Sequence, residues 1–197
     1  MRRQKGFHMK EILKNTRTIR LYDESKPMTK EQMQEIVEAL RYVPQAANAQ
    51  KIQFVTSVDP QMNAKIFPLL HFAGQIPDYA KRQGGKAPTG YLVLVKKSGS
   101  GVMLQDAGIL ELAAGLMAHS LGLGYCILAS VNRKELSKVL GLSEDYEIID
   151  VISFGVPAQK AEIVDSADGA TRYYEDESYH HFVMKLPREF RILKSFE

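Results

Sequence analysis

A single cysteine, Cys126, occurs in 197 residues. No intramolecular disulfide can form, and the chain reads as one made for a reducing compartment. Charge of one sign is also scarce: 26 Lys and Arg stand against 23 Asp and Glu, a net +3. Part of that excess is Arg2, Arg3 and Lys5, in a basic tail over residues 1–8. No concentrated basic face interrupts the remainder, which argues against a nucleic-acid binder. The opening MRRQKGFHMK lacks the apolar stretch of a secretory signal, so a cytoplasmic location is expected. No repeat or low-complexity tract is present. The longest nearly apolar run, Ile109 to Val131, contains Glu111, His119 and Ser120, and Gly122 and Gly124 split it. A membrane span needs about 20 apolar residues with few or no charges, so a buried helix followed by a core strand fits this run better.

Several chemistries lack their signatures as well. No serine sits in a GxSxG elbow, no spacing suggests a paired-carboxylate hydrolase, and no GxGxxG opens a helix. His180 and His181 are adjacent, so in a strand their side chains diverge and cannot share a metal.

What is there is an ordinary globular composition, 45% hydrophobic and 25% charged, enough for one domain. Thr29 with Gln32 forms a capping-box pattern, and Met33, Ile36, Val37 and Leu40 follow on one helical face until Pro44. Ile52 to Val58 reads as a strand, and Asp59-Pro60 as the cap of a helix carrying Ile66, Leu69 and Leu70. Phe72 to Pro88 is an irregular excursion, and Tyr91 to Val95 is a short apolar strand. The helix from about Leu104 to Leu121 is apolar nearly all round, so burial on every side is expected, in a large core or at a subunit interface. Asn132 and Glu135 open a helix that stops at Gly141, and Ile148 to Phe154 is the last core strand. From about residue 158 to 197 the chain reads as a polar extended arm. Helices and strands alternate, so the class is α/β or α+β.

Three clusters carry chemical interest. In Asn15-Thr16-Arg17-Thr18-Ile19-Arg20, two guanidiniums three residues apart, with hydroxyls between them, make an anion cradle. In Pro44 to Gln50, small residues allow close approach, while Asn48 and Gln50 offer the donors and acceptors that read an amide-imide edge. An extended segment would point both amides the same way. In Leu121 to Ala129, two glycines turn the long helix into a strand and leave backbone N–H groups at the strand's end. Cys126 lies within that strand and reads as a small buried hydrophobe.

The order of these clusters resembles the nitroreductase family of flavoproteins, whose motifs are R-R-S-x-R, N-x-Q-P-W and G-L-G-x-C-x-x-G. The stretches Gln105 to Ile109, Phe154-Gly155-Val156-Pro157, and Tyr173 to Glu177 followed by His180-His181 support a compact branch of it. The resemblance runs from about Glu11 to Lys185. It implies an α+β fold, a three-layer α/β/α arrangement around a central, mostly antiparallel sheet, forming an intertwined homodimer from a single FMN-binding domain over residues 9–197. It also implies FMN at the dimer interface, NADH or NADPH as donor, and a small oxidised acceptor such as a nitroaromatic or quinone. No side chain would need to act as acid or base, because the flavin performs the chemistry. Carried over by motif, Thr16, Arg17, Thr18 and Arg20 would hold the phosphate and ribityl chain. Asn48 and Gln50 would address the ring, backbone N–H groups at Leu128 and Ala129 would face its N5/O4 edge, and Lys185 would add a late positive charge. The chain departs from the pattern at Thr16 for the first arginine, at Lys51-Ile52 for Pro-Trp, at Ala129 for glycine, and at Leu186 for the arginine after Lys185. A flavin-binding or sensing protein without turnover is the other reading.

Overall fold

The centre of the protein is a pair of apolar strands, β2 (Gly90–Lys97) and β4 (Tyr146–Gly155), in a computed structural model that describes residues 9–76, 79, 86–102 and 104–196. Tyr91, Leu92, Val93, Leu94 and Val95 are all buried, as are Val151, Ile152 and Phe154. Strands covered on both faces read as continuous apolar runs rather than alternating ones. With β1 (Gln53–Ser57) and β3 (Gly124–Leu128) they form a sheet in the order β1-β2-β4-β3, antiparallel at every step.

Helices cover both faces. On one face, Leu92, Leu94, Ile152 and Phe154 pack with Met33, Ile36 and Leu40 of α2 (Lys30–Leu40) and Ala107, Leu110, Ala114 and Ala118 of α4 (Leu104–Ser120). On the other, Tyr91, Val93, Val151, Cys126 and Leu128 pack with Ile66 of α3 (Pro60–Ile66) and Leu136 of α5 (Arg133–Leu140). This is the expected three-layer α+β arrangement with an antiparallel sheet. The local signals hold too. Thr29 and Gln32 form a reciprocal capping box, Asp59 caps α3 ahead of Pro60, Asn132 accepts the Glu135 amide, and Gly141 closes α5 in the left-handed region.

Two expectations change. The long helix α4 is buried on one face alone: Leu104, Ile109 and Leu112 are 75%, 43% and 46% exposed. The sheet and α2 cover the other face, and among the described residues nothing covers Leu104, Ile109 and Leu112. The polar stretch after Pro157 is also partly folded. β5 (Ala161–Asp165), β6 (Tyr174–Glu175) and β7 (His181–Lys185) form a second small sheet in the order β5-β7-β6, in which β5 and β7 are parallel. Beyond it, the chain carries the exposed Phe190, Ile192, Leu193 and Phe196. A short helix, α1 (Met9–Asn15), precedes the first cluster. The basic tail, residues 1–8, and part of the excursion, including Arg82, lie outside the described residues.

α4 spans 17 residues, and among the described residues no helix is long and apolar enough to cross a membrane. Gly122, with φ +75°, turns the chain out of α4. At Gly124 a Cβ would lie 2.7 Å from Ile19 Cβ, so glycine is what lets the first cluster approach β3.

Candidate functional site

The Thr16–Arg20 segment runs along the outer edge of β3. Thr18 bridges Tyr125 in parallel, and the Ile19 amide donates to the Tyr125 carbonyl at 2.8 Å. Gln159 Oε1 accepts both the Arg20 and the Leu21 amides, at 2.7 and 2.8 Å. The fully buried Tyr22 hydroxyl donates to the Ile19 carbonyl at 2.6 Å and lies 2.9 Å from Ser153 Oγ. The backbone of the cluster is therefore fixed and its side chains project from a rigid base. Gln159 gave no sequence signal, since it lies 139 residues from Arg20.

The buried Thr16 donates its hydroxyl to the Ile12 carbonyl at 2.7 Å. Arg17 gives one Nη2 hydrogen bond to the Leu13 carbonyl at 2.5 Å, while its Nε is buried with no partner. Burial lowers its pKa, against an opposing pull from Tyr125. Arg20 lies over the Tyr173 ring at 5.0 Å, with Nη1 3.4 Å from His181 Nε2. Among the described residues neither arginine forms an ion pair with a carboxylate. A cavity of about 190 Å³ opens beside Thr16, Arg17, Gly124, Tyr125 and Gln159. Burial drives the Cys126 thiol up to about 11 against the opposing pull of Arg20, so it stays an inert thiol.

His181 is fully buried, and burial with Arg20 alongside pushes its pKa down to about 4 from 6.5. The unfolded chain therefore binds more protons between those values, and folding stability contributed here falls as pH drops from about 6.5 to about 4. In denaturant titrations across this range, His181→Asn should show a shallower acid loss than the native chain. An equal slope would assign the loss to other groups.

The second cluster has a different shape from the expected extended one. Ala46–Asn48 is a 3₁₀ turn, closed by Asn48 N–H to Gln45 O and Ala49 N–H to Ala46 O, both at 3.0 Å. Ala47, Asn48 and Gln50 have φ of 51°, 50° and 48°, the left-handed region that asparagine tolerates best among these three. The two amides do meet: Gln50 Nε2 donates to Asn48 Oδ1 at 3.1 Å, which leaves Asn48 Nδ2 and Gln50 Oε1 for a ligand. Gln45 Oε1, at the root of the turn, is buried and unpartnered. Lys51 Nζ donates to the Gly101 carbonyl at 3.0 Å.

The third group is the end of β3. N–H and C=O of one residue point to the same side of a strand. The Tyr125 carbonyl therefore marks the open edge and Ile127 shares it. The Leu128 amide turns inward to β4, and Ala129 lies one residue past the end of the strand. Asp150 lies one position beyond the last β3–β4 pair, Leu128 with Val151. Glu111 lies against it on α4, pushed up to about 7 by burial and the neighbouring carboxylate, while Arg133 Nη2 holds Asp150 at 3.1 Å. This acid pair also gave no sequence signal.

One chain does not bring these groups together. Asp106, in the first turn of α4, accepts the Ala46 amide at 2.9 Å, whereas His119, in its last turn, lines the arginine cavity. They are 119 − 106 = 13 residues apart, about 20 Å along an α-helix. Lys185 is exposed and four residues past His181 on β7, about 13 Å further along that strand. The arginines and the paired amides thus stand at opposite ends of α4, with its uncovered apolar face between them.

Residues 13–156 match the model of the nitroreductase family, and the chain belongs to that family. A Bacillus subtilis protein named "Putative NAD(P)H nitroreductase YdgI" is 39% identical over 62 residues, which are 32% of this chain and 30% of that protein. The fold resembles a nitroreductase family protein of Clostridium novyi NT, with TM-score 0.64, 18% identity, and coverage of 77% of this chain and 86% of that one. An FMN-dependent nitroreductase of Clostridium difficile R20291 gives TM-score 0.63 and 21% identity, covering 77% and 88%.

Proposed function

We propose that the protein is an FMN-dependent oxidoreductase that uses NADH or NADPH to reduce a small oxidised acceptor such as a nitroaromatic or a quinone. The observation that carries this reading is the arginine pair, which meets no carboxylate among the described residues, with the Arg17 Nε donor buried and unused. A phosphate dianion there would use that donor and supply the missing counter-charge. The cavity beside it and the open edge of β3 suit the phosphate and ribityl chain of FMN. The paired amides of Asn48 and Gln50 suit the polar edge of its ring. Relatives with NAD(P)H and FMN in their names support the same reading.

The two half-sites call for a second copy. Pairing α4 with its counterpart, antiparallel across a two-fold axis, sets the arginine end of one chain against the Asn48 end of the other. It also covers Leu104, Ile109 and Leu112, which no described residue of the chain covers. The active unit is therefore a homodimer in which each FMN is held by both chains, with an obligate interface above about 2,000 Å².

FMN, when bound, would supply two-electron redox chemistry between the nicotinamide and the acceptor. The chain's own work is to bind, orient and exclude water. Arg17 and Arg20 would anchor the phosphate, the backbone at Leu128 and Ala129 would stand beside the ring, and Asn48 Nδ2 would offer the ring a donor that stabilises its reduced form. Asn48→Ala should lower the flavin midpoint potential by the equivalent of about 1–2 kcal/mol and slow reduction by NAD(P)H, with dimerisation intact. An unchanged potential would remove Asn48 from the site.

The test of the function is anaerobic reduction of the FMN-loaded protein. Bleaching by NADH or NADPH, followed by reoxidation with an added quinone or nitroaromatic, is the expected result. A protein that binds FMN but is inert to both nicotinamides is a flavin binder without turnover, the reading that the loss of an arginine at Thr16 favours. A protein that binds no flavin overturns both.

A further inference from the structure

The turn that carries Asn48 and Gln50 has little to hold it. Residues 46–51 are all exposed, so the turn has no packed interior of its own. Three of them, Ala47, Asn48 and Gln50, keep positive φ without being glycine. Conformations of this kind persist only where surrounding contacts over-determine them. The turn's own hydrogen bonds, Asn48 to Gln45 and Ala49 to Ala46, shape it without fixing where it stands. Lys51 ties its far end to the Gly101 carbonyl, which belongs to another exposed loop residue.

Its near end is different. Asp106 Oδ1 accepts the Ala46 amide at 2.9 Å, and Asp106 is 7% exposed, in the first turn of α4. Ala107 and Leu110, one and four residues on, are in the main core, so the carboxylate stands on an element that cannot shift with the loop. We infer that Asp106 is the positioning residue of the flavin-ring half-site: through the Ala46 amide it sets the height of the 46–50 turn against α4, and with it the direction of Asn48 and Gln50. Asp106 touches no cofactor in this role. It acts through the turn, and because α4 also bears the uncovered apolar face, the same helix sets the turn relative to the second chain. This inference rests on the flavin reading above.

Asp106→Ala and Asp106→Asn, each as the full-length protein, are compared with the wild type for FMN affinity by fluorescence quenching, for flavin midpoint potential, and for melting temperature without FMN. In Asp106→Ala the FMN dissociation constant should rise roughly tenfold, as expected for losing one charge-assisted hydrogen bond. The midpoint potential should fall in the same direction as in Asn48→Ala. Asp106→Asn keeps an oxygen facing the Ala46 amide and should restore most of both. A merely structural role would lower the melting temperature of the apo-protein while leaving the potential of the bound flavin where it was, and that result overturns the inference. Should Asp106→Ala fail to fold, hydrogen exchange on the wild type decides: the Ala46 amide should be protected in an otherwise exposed turn, and exchange at the rate of an open peptide overturns the anchor. A wild-type chain that binds no FMN removes the flavin reading and this inference with it. A folded Asp106→Ala that matches the wild type in affinity and potential overturns the inference alone.

Discussion

Two chains that each fail to bind FMN should recover one site when combined. In one chain Arg17→Ala and Arg20→Ala remove the anion cradle, and in the other Asn48→Ala and Gln50→Ala remove the ring contacts. Each homodimer then has two damaged sites. If every site takes its arginines from one chain and its amides from the other, a mixed dimer has one site with both defects and one with none. Co-expressed with two different tags and purified through both, the mixed dimer should bind one FMN per dimer at wild-type affinity. If both halves of the site came from the same chain, the mixed dimer would hold two damaged sites and bind no better than its parents. The expectation follows from the length of α4, because a separation of about 20 Å between the Asp106 and His119 ends is fixed by a straight helix. Leu112→Arg, which puts a charge on the exposed apolar face, should abolish dimerisation and FMN binding together. A monomer that still binds FMN would refute the shared site.

The arginine variants alone should be nearly as severe. Charge-assisted hydrogen bonds contribute about 1.5–3 kcal/mol each, so Arg20→Ala or Arg17→Ala should weaken FMN by one to two decades on that estimate. Riboflavin lacks the phosphate and should bind the variants and the wild type about equally. Titrations of both ligands separate the roles. Arg20 also stacks on Tyr173 and approaches His181, so a purely structural arginine would weaken riboflavin as much as FMN. Arg17, whose Nε has no partner, has less to lose structurally and gives the cleaner comparison.

How far these features could be read in advance depended on their range along the chain. The caps at Thr29, Asp59 and Asn132 and the stop at Gly141 are contacts between residues a few positions apart, so residue types alone predict them. The burial of Cys126 in an apolar strand was legible for the same reason. Asp106 and Gln159 were not legible as partners. Asp106 holds a backbone amide 60 residues away and Gln159 holds two, 139 and 138 residues away, and nothing in a single polar side chain announces partners so distant. The parallel pairing of β5 with β7 was hidden likewise, because register is set by packing and not by either strand alone.

The long helix divides the two kinds of knowledge most clearly. Its composition was enough to establish that α4 is apolar nearly all round, and that its apolar surface must find a covering. Which face stays open depended on the sheet and α2 taking up Ala107, Leu110, Ala114 and Ala118, and so leaving Leu104, Ile109 and Leu112 outward. In the same way, the arginine cluster and the paired amides are visible in the amino-acid order, but their separation is not. A rigid helix holds them about 20 Å apart, and a distance between two elements arises only when each has packed against the same core.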